Sequence, residues 1–557
     1  MMEQTVNAGD TAWVLSCAGL VMFMTPGLAF FYAGMVDRRN TLVMLQQNMV
    51  ALGVISVTWI LLGYTLAFGA DGGAGLIGDL KLFGLIDAAT NPPPAPAFHV
   101  VTAGVTIPTL AFVAYQMMFA VITPALATGA VAGRLRLAGW IVFLAAWSII
   151  VYPPIAHWIW HPDGWLASFG VQDWAGGLVV HTSAGAAALA LLLVVGRRRG
   201  WPRTNTLPQS VPLTLVGAGI LWFGWFGFNA GDGLQANGVA AQAAINTHVA
   251  AAAGMCVWLL LERIVDGHST VVGAASGAVA GLATVTPCAG FVSTLAALAI
   301  GAIAGLVCHL ALKLKFTFRF DDALDVIAVH FVGGMLGTLL LGLFGNSAAN
   351  STGVDGLFFG GGAHLLGRQV VGVVVVAGFS FCLTWLLATV IDKTMGLRVR
   401  PDQQGSLDQR QQGMDAYHLD EVSSLPGKGS PGHANGHVAG GRASGQDQPR
   451  PVPAEASRLV TGLLDPALVH EGDLRDALDD AGARAVTVSE ANLYGRSPQS
   501  LVVRGYRRDV ELTSRLRVEV LVDEQSVPAV LRVLDRFADG TVEGFVETVR
   551  PAAATRR

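Results

Sequence analysis

Asp173-Trp-Ala-Gly-Gly-Leu-Val-Val-His181 and Asp322-Ala-Leu-Asp-Val-Ile-Ala-Val-His330 carry one pattern twice: an aspartate followed eight residues later by a histidine, each within a long apolar stretch. Eight residues is a little over two helical turns, so on a helix each Asp and His share one broad side. Ionisable side chains within a membrane span are costly, rarely face lipid and mark pathways or relays. Two copies in the two halves of one chain point to an internal repeat around a pore. Histidine in that pore points to proton chemistry.

The rest of the chain agrees with a membrane protein. Of 557 residues, 52% are hydrophobic and 13% charged, and the 68 glycines suit close helix packing. Apolar windows long enough to cross a bilayer lie at 12-36, 43-69, 106-131, 138-158, 176-196, 212-231, 240-262, 270-286, 290-312, 324-346 and 367-391, which predicts eleven spans. The first follows a short polar segment without a basic leader and continues past signal-peptide length, so it reads as a span. Arg38 and Arg39, Arg134 and Arg136, Arg197 to Arg199, Arg263, Lys313 with Lys315, and Lys393 with Arg398 mark one side; the opposite connections hold Lys81 and Arg368. By the positive-inside rule the N-terminus is then outside and everything after residue 391 is cytoplasmic, with the chain multi-pass in the cell membrane. A formal net charge of −4 gives no reason to expect nucleic acid. Cys17, Cys256, Cys288, Cys308 and Cys382 lack metal-ligand spacing and read as packing residues.

Four segments carry a more specific likeness: Phe30-Phe-Tyr-Ala-Gly34, Asp173-Trp-Ala-Gly-Gly177 with His181, Trp222-Phe-Gly-Trp-Phe-Gly-Phe-Asn-Ala-Gly231, and Thr286-Pro-Cys-Ala-Gly-Phe291. Together with motifs in nearly every span they resemble the ammonium transporter (Amt/Mep/Rh) family over about residues 10 to 418. The resemblance implies transport rather than catalysis, no cofactor in the membrane domain, and a homotrimer with one pore per subunit. It also implies eleven helices built as two inverted five-helix repeats plus one.

Residue by residue, the resemblance makes His181 and His330 paired pore histidines sharing a hydrogen bond, with Trp225 beside them. It makes Phe119, Trp160 and Asp232 an external recruitment site for ammonium, and Phe119 with Phe228 a stacked aromatic gate. Gln116 matches a polar residue near the mouth. On residue type alone Trp160 reads equally well as an interfacial aromatic anchor, the role assigned to Trp158 and Trp165. Asp232 departs from the family, many of whose members carry a hydroxyl residue there; a charge at the mouth strengthens cation capture or is a solvated carboxylate at a helix end. Asp173 is expected to shape the entrance by binding backbone amides, and Asp322 and Asp325 to cap the tenth span.

Beyond the membrane domain (1-391) the chain divides into a cytoplasmic tail (392-420), a Gly/Ser/Pro-rich linker (421-457) and a soluble unit (458-557). The tail's Gly413-Met-Asp-Ala-Tyr417 resembles the family's conformationally active tail. In the soluble unit, strands near 458-464, 484-491, 516-522 and 541-549 and helices near 471-482 and 525-537 predict an α+β, ferredoxin-like βαββαβ fold with a long polar loop between the middle strands. Val460-Thr461, Leu478-Asp-Asp-Ala-Gly482, Val486-Thr-Val-Ser-Glu490, Gly495-Arg496 and Arg504-Gly505 resemble PII nitrogen-regulatory proteins. That resemblance implies ATP, ADP or 2-oxoglutarate as ligand and contact with the cytoplasmic pore face. Arg508 stands where the family's modifiable tyrosine aligns, two residues after Tyr506, and the phosphate turn is reduced to Asp539-Gly540-Thr541-Val-Glu-Gly544, without its lysine. A ligand of another class, or a purely trimerising module, stays open. The whole reads as a regulated ammonium transporter, or alternatively as an ammonium sensor that signals through its C-terminal unit; neutral ammonia flux of the Rh type is a nearer variant.

Overall fold

The computed structural model describes residues 6–86, 88, 105–202, 208–404, 407–417, 457–464, 471–503, 506–537 and 545–549. The described part of the first unit is helical. Among the described residues ten helical stretches are long and apolar enough to cross a membrane: α1 (Ala8–Met35), α2 (Arg38–Phe68), α3 (Thr109–Gly129), α4 (Leu137–Phe169), α5 (Gly177–Val195), α6 (Val211–Gly233), α7 (Gly238–Val265), α9 (Thr294–Thr317), α10 (Ile327–Phe344) and α11 (His364–Thr394). The apolar window at 270-286 forms a shorter helix, α8 (Val271–Val285, 15 residues).

Short polar side chains start these helices where the sequence changes from turn to apolar run. The amide of Asp10 donates to Asn7 Oδ1 at 3.0 Å, those of Val239 and Ala240 to Asn237 Oδ1 at 3.0 and 3.1 Å, and that of Gly273 to Thr270 Oγ1 at 2.9 Å. Each bond satisfies a donor that the helix itself cannot. Helix α1 packs along α6, and α7 against α8 and α9. The approach is close: a Cβ on Gly217 would lie 2.2 Å from the Phe31 backbone nitrogen, so only glycine fits that crossing.

On the side rich in basic residues, buried Asp321 ties three connections together. It accepts from the Arg198 amide at 2.7 Å and guanidinium at 2.6 Å, and Arg134 donates to the Asp321 carbonyl at 2.9 Å and to Gly196 O at 2.7 Å. These guanidinium groups hold the Asp321 carboxyl below its usual range despite its burial. In the tail, the short helix α12 (Leu407–Gln412) places the Asp408 carboxylate to accept the Leu42 and Val43 amides at 2.9 and 2.8 Å, capping from a distant part of the chain the α-helical run of α2 that starts at Thr41.

The second unit contains strands β1 (Ser457–Leu464), β2 (Ala485–Val503), β3 (Tyr506–Asp523) and β4 (Phe545–Val549) in the order β2-β3-β1-β4, with helices α13 (Glu471–Asp480) and α14 (Val527–Arg536). Strand β1 is antiparallel to both neighbours, Val460 facing Val520 of β3 and Val546 of β4. Alternate residues Val460 and Leu464, and Val518, Val520 and Val522, enter one core with Leu474, Leu478, Val530 and Leu534, the period-two pattern of a sheet covered on one face. The long polar loop expected between the middle strands is instead backbone in β2 and β3, 19 and 18 residues long. Neighbouring strands satisfy each other's amides and carbonyls, so polar side chains do not prevent extension. The linker before Ser457, Arg504-Gly505 and the Asp539–Gly544 turn lie outside the described residues, as do the side chains of Tyr506 and Arg508.

Candidate functional site

The two Asp–His stretches do not form two faces of regular helix. Each aspartate precedes its helix, and each histidine lies on a wider, π-helical turn, Gly177–Thr182 or Ile327–Val332. Such turns displace side chains from the 3.6-residue register and recur at functional sites. Asp173 builds the first turn. Its carboxylate accepts four consecutive amides, from Gly176 and Gly177 (2.9 and 2.7 Å) on Oδ1 and from Leu178 and Val179 (2.8 and 3.0 Å) on Oδ2. The chain reaches this geometry because Gly176 takes a left-handed φ of 112°. Asp322 repeats the arrangement in weaker form: Oδ2 accepts the Ile327 amide at 2.7 Å, and Oδ1 is buried with no partner among the described residues. Burial and the neighbouring Asp325 push the Asp322 carboxyl up to about 6. Asp325 pairs with Lys315 and has a φ of 63°.

Helices α5 and α10 cross closely enough to bring the histidines together. A Cβ on Gly334 would meet the His181 Cβ at 2.7 Å. At this crossing His181 Nδ1 and His330 Nδ1 lie 3.3 Å apart and share a hydrogen bond, with rings 18° from parallel. His181 is stacked against Trp225 (centroids 5.6 Å) and Phe228 (6.1 Å), and its Nε2 has no partner among the described residues. Trp225 is held by its indole N–H, which donates to Thr286 Oγ1 at 2.9 Å.

Aromatic rings continue the row away from the histidines. Phe228 and Phe119 lie 4.3 Å apart and 32° from parallel, and Trp160 stands edge-on to Phe119 at 5.7 Å and 88°. The Trp160 indole donates to the Asp173 carbonyl at 3.0 Å, so the aspartate that forms the histidine turn also fixes this tryptophan. Trp158 donates to Leu76 O at 2.8 Å and packs on Phe379, a buried structural position. Gln116 and Asp232 are buried near this end, and Asp232 has no partner for either oxygen among the described residues.

On the other side of Phe228, a narrow cavity lined by Met24, Leu28, Val180 and Trp225 reaches both histidines. A second, lined by Trp258, Ser276 and Asp325, reaches His330. The histidine pair therefore lies between an aromatic constriction and a charged end. Sequence reasoning missed Thr286 and Lys315. The signal for Thr286 was present, since it opens the Thr286-Pro-Cys segment beside an indole needing an acceptor; Lys315 is ten residues from its partner, on another element.

This architecture, membrane-length helices packed around a buried histidine pair, defines a polytopic helical membrane protein. The chain belongs to the Ammonium Transporter Family, whose model matches residues 12–417. It is 45% identical to an ammonium transporter of Mycobacterium tuberculosis over 431 residues, covering 74% of this chain and 90% of that one. Among solved structures it resembles Mep2 of Saccharomyces cerevisiae (TM-score 0.66, 33% identity, 72% of this chain and 89% of that). It also resembles a protein described as a sensor Amt protein (TM-score 0.64, 30% identity, 71% and 96%). The Mycobacterium tuberculosis relative is named as a transporter, and the family is one of transporters, not of enzymes.

Proposed function

We propose that the protein moves ammonium across the cell membrane, binding it outside at Trp160, Phe119 and Asp232 and passing it inward behind Phe119 and Phe228. The observation that carries this reading is the His181–His330 pair, buried in an apolar lane with His181 Nε2 unpartnered. The indole face attracts a cation, and the paired phenylalanines exclude hydrated ions by dewetting. Burial disfavours charge in the lane, so ammonium deprotonates on entry. His181 takes part in relaying the proton while ammonia crosses separately. Trp225 lines the lane, and Asp173 holds its shape.

In this reading α1 to α11 are eleven spans in two inverted five-helix repeats plus one, α8 being a short member, and three copies form a homotrimer. The unit at 458-557 is a ferredoxin-like, PII-like domain that regulates flux from the cytoplasmic face, with an adenine nucleotide or 2-oxoglutarate as ligand. Its β2-β3-β1-β4 order and two helices support that assignment. The second reading, an ammonium sensor with little flux, is favoured by the unpartnered Asp232 carboxylate and by the likeness to the sensor Amt protein.

The test is ammonium-evoked current across proteoliposomes containing the full chain. Transport predicts a saturating current that scales with ammonium at constant ammonia. Retained ammonium binding with neither current nor uptake would favour the sensor and reject transport. Trp160→Leu is expected to weaken half-saturation about two- to thirtyfold, the range of a cation–π contact of about 0.5–2 kcal/mol.

A further inference from the structure

The turn Gly231–Gly233 at the end of α6 holds a buried carboxyl group with no partner among the described residues. Asp232 is 2% exposed, and neither carboxylate oxygen has a hydrogen-bond partner among the described residues. Its surroundings supply no counter-ion in the described structure. The Cys17 Cβ of α1 packs on Gly231 of the turn, and Tyr115 of α3 spends its hydroxyl proton on Gly227 O and Phe228 O at 3.0 and 2.8 Å. Tyr152 of α4 lies within electrostatic reach of Asp232, and its hydroxyl has no partner among the described residues. The nearby charged group is another carboxylate, Asp173, which is already committed to four amides. From α7, Thr247 bonds Asn229 beside the turn.

An unpaired ionised carboxylate in such a place costs several kcal/mol. Electroneutrality therefore requires either a proton on Asp232 or a cation against it. A satisfied aspartate a few residues from a mouth would have no such choice, and a serine there would carry no charge to balance.

We propose that Asp232 makes ammonium capture an exchange reaction: the neutral carboxylic acid gives its proton to bulk water as ammonium arrives, and the carboxylate becomes the counter-ion of the bound cation. One O–H bond breaks at Asp232 and no N–H bond breaks, so charge at the site is conserved. Capture is then linked to pH at the mouth, before any chemistry at the histidines. This rests on the reading above that the mouth binds ammonium.

Calorimetry of ammonium chloride binding to the full-length protein in detergent tests it, over pH 5–7 and in two buffers of different ionisation enthalpy. The expected result at the acid end of this range is about one proton released per ammonium bound and about tenfold tighter binding per pH unit, both declining where the free carboxyl ionises. Asp232→Asn, close in shape, and Asp232→Ser should each bind more weakly, release no proton and show no such slope. Binding by the unaltered protein without proton release, or an unchanged proton count in both variants, overturns the exchange alone. No binding heat at any pH, with no ammonium-evoked current in proteoliposomes, overturns the functional reading and the exchange with it.

Discussion

The Asp173–His181 and Asp322–His330 segments are nearly the same sentence in sequence and different objects in space. In the first, one carboxylate holds four amides, one glycine turns left-handed, and the histidine is enclosed by Trp225 and Phe228. In the second, the carboxylate has one short bond and one unpartnered oxygen, and the histidine opens on a cavity that reaches Asp325, itself paired with Lys315. A repeated motif thus supplies two π-turns that meet, while the flanking residues make one end aromatic and the other charged. Pairing comes from the repeat, and direction comes from what the repeat does not share.

Removing each histidine tests this difference most severely. His181→Leu should reduce ammonium uptake by about two orders of magnitude or more, the usual scale for losing a positioned proton-transfer group. His330→Leu deletes the partner but leaves the ring stacked under Phe228, so a smaller loss is expected. Equal losses in uptake by proteoliposomes would show that the two rings act as one unit and that the aromatic enclosure confers nothing.

The aspartates differ next in stability. Asp173→Asn replaces two accepting lone-pair sites with an NH2 group facing amide donors, so two charge-assisted bonds are lost. At about 1.5–3 kcal/mol each, the cost is roughly 3–6 kcal/mol. Asp322→Asn keeps an oxygen for the Ile327 amide and should cost about 1 kcal/mol or less. Thermal midpoints of the two variants in one detergent measure the contrast, and similar midpoints would mean that the amide cradle at Asp173 is not what holds the turn.

Much of this was legible before any coordinates. Hydropathy alone locates ten of the long helices, the repeated Asp–His spacing picks out His181 and His330, and the family resemblance adds Phe119, Phe228 and Trp225, which the fold brings into one row with them. The shared helical face inferred from the eight-residue spacing was not there, because each aspartate stands outside the helix that its histidine belongs to. Periodicity assumes i→i+4 bonding, and a π-turn is a local change of bonding that no propensity records. The Lys315–Asp325 pair and the Asp408 cap on α2 were hidden for another reason: both join elements that only tertiary packing brings together. Between β2 and β3 a polar composition was read as loop, although paired backbone does not require apolar side chains.

The smallest expected effect separates the aspartates by pH. Burial and Asp325 raise the Asp322 carboxyl from 3.8 to about 6, so the folded state holds a proton there that the unfolded state has released. Stability contributed by that proton is present below pH 3.8 and lost as pH rises through about 6, by at most about 3 kcal/mol. Asp321, held below its usual range, works in the opposite sense: its contribution is present above 3.8 and lost as pH falls below that value. Between pH 4 and 6 the two therefore separate, and Asp321 is close to constant. The thermal midpoint of Asp322→Asn, subtracted from that of the unaltered protein at each pH, cancels the titrating groups that do not interact with Asp322; Asp325 does interact and is read together with it. The difference should favour the unaltered protein at pH 4 and decline toward pH 6.5, where the variant should equal or exceed it. A flat difference would place a cation or a donor at Asp322 Oδ1 and make the second segment as fully satisfied as the first.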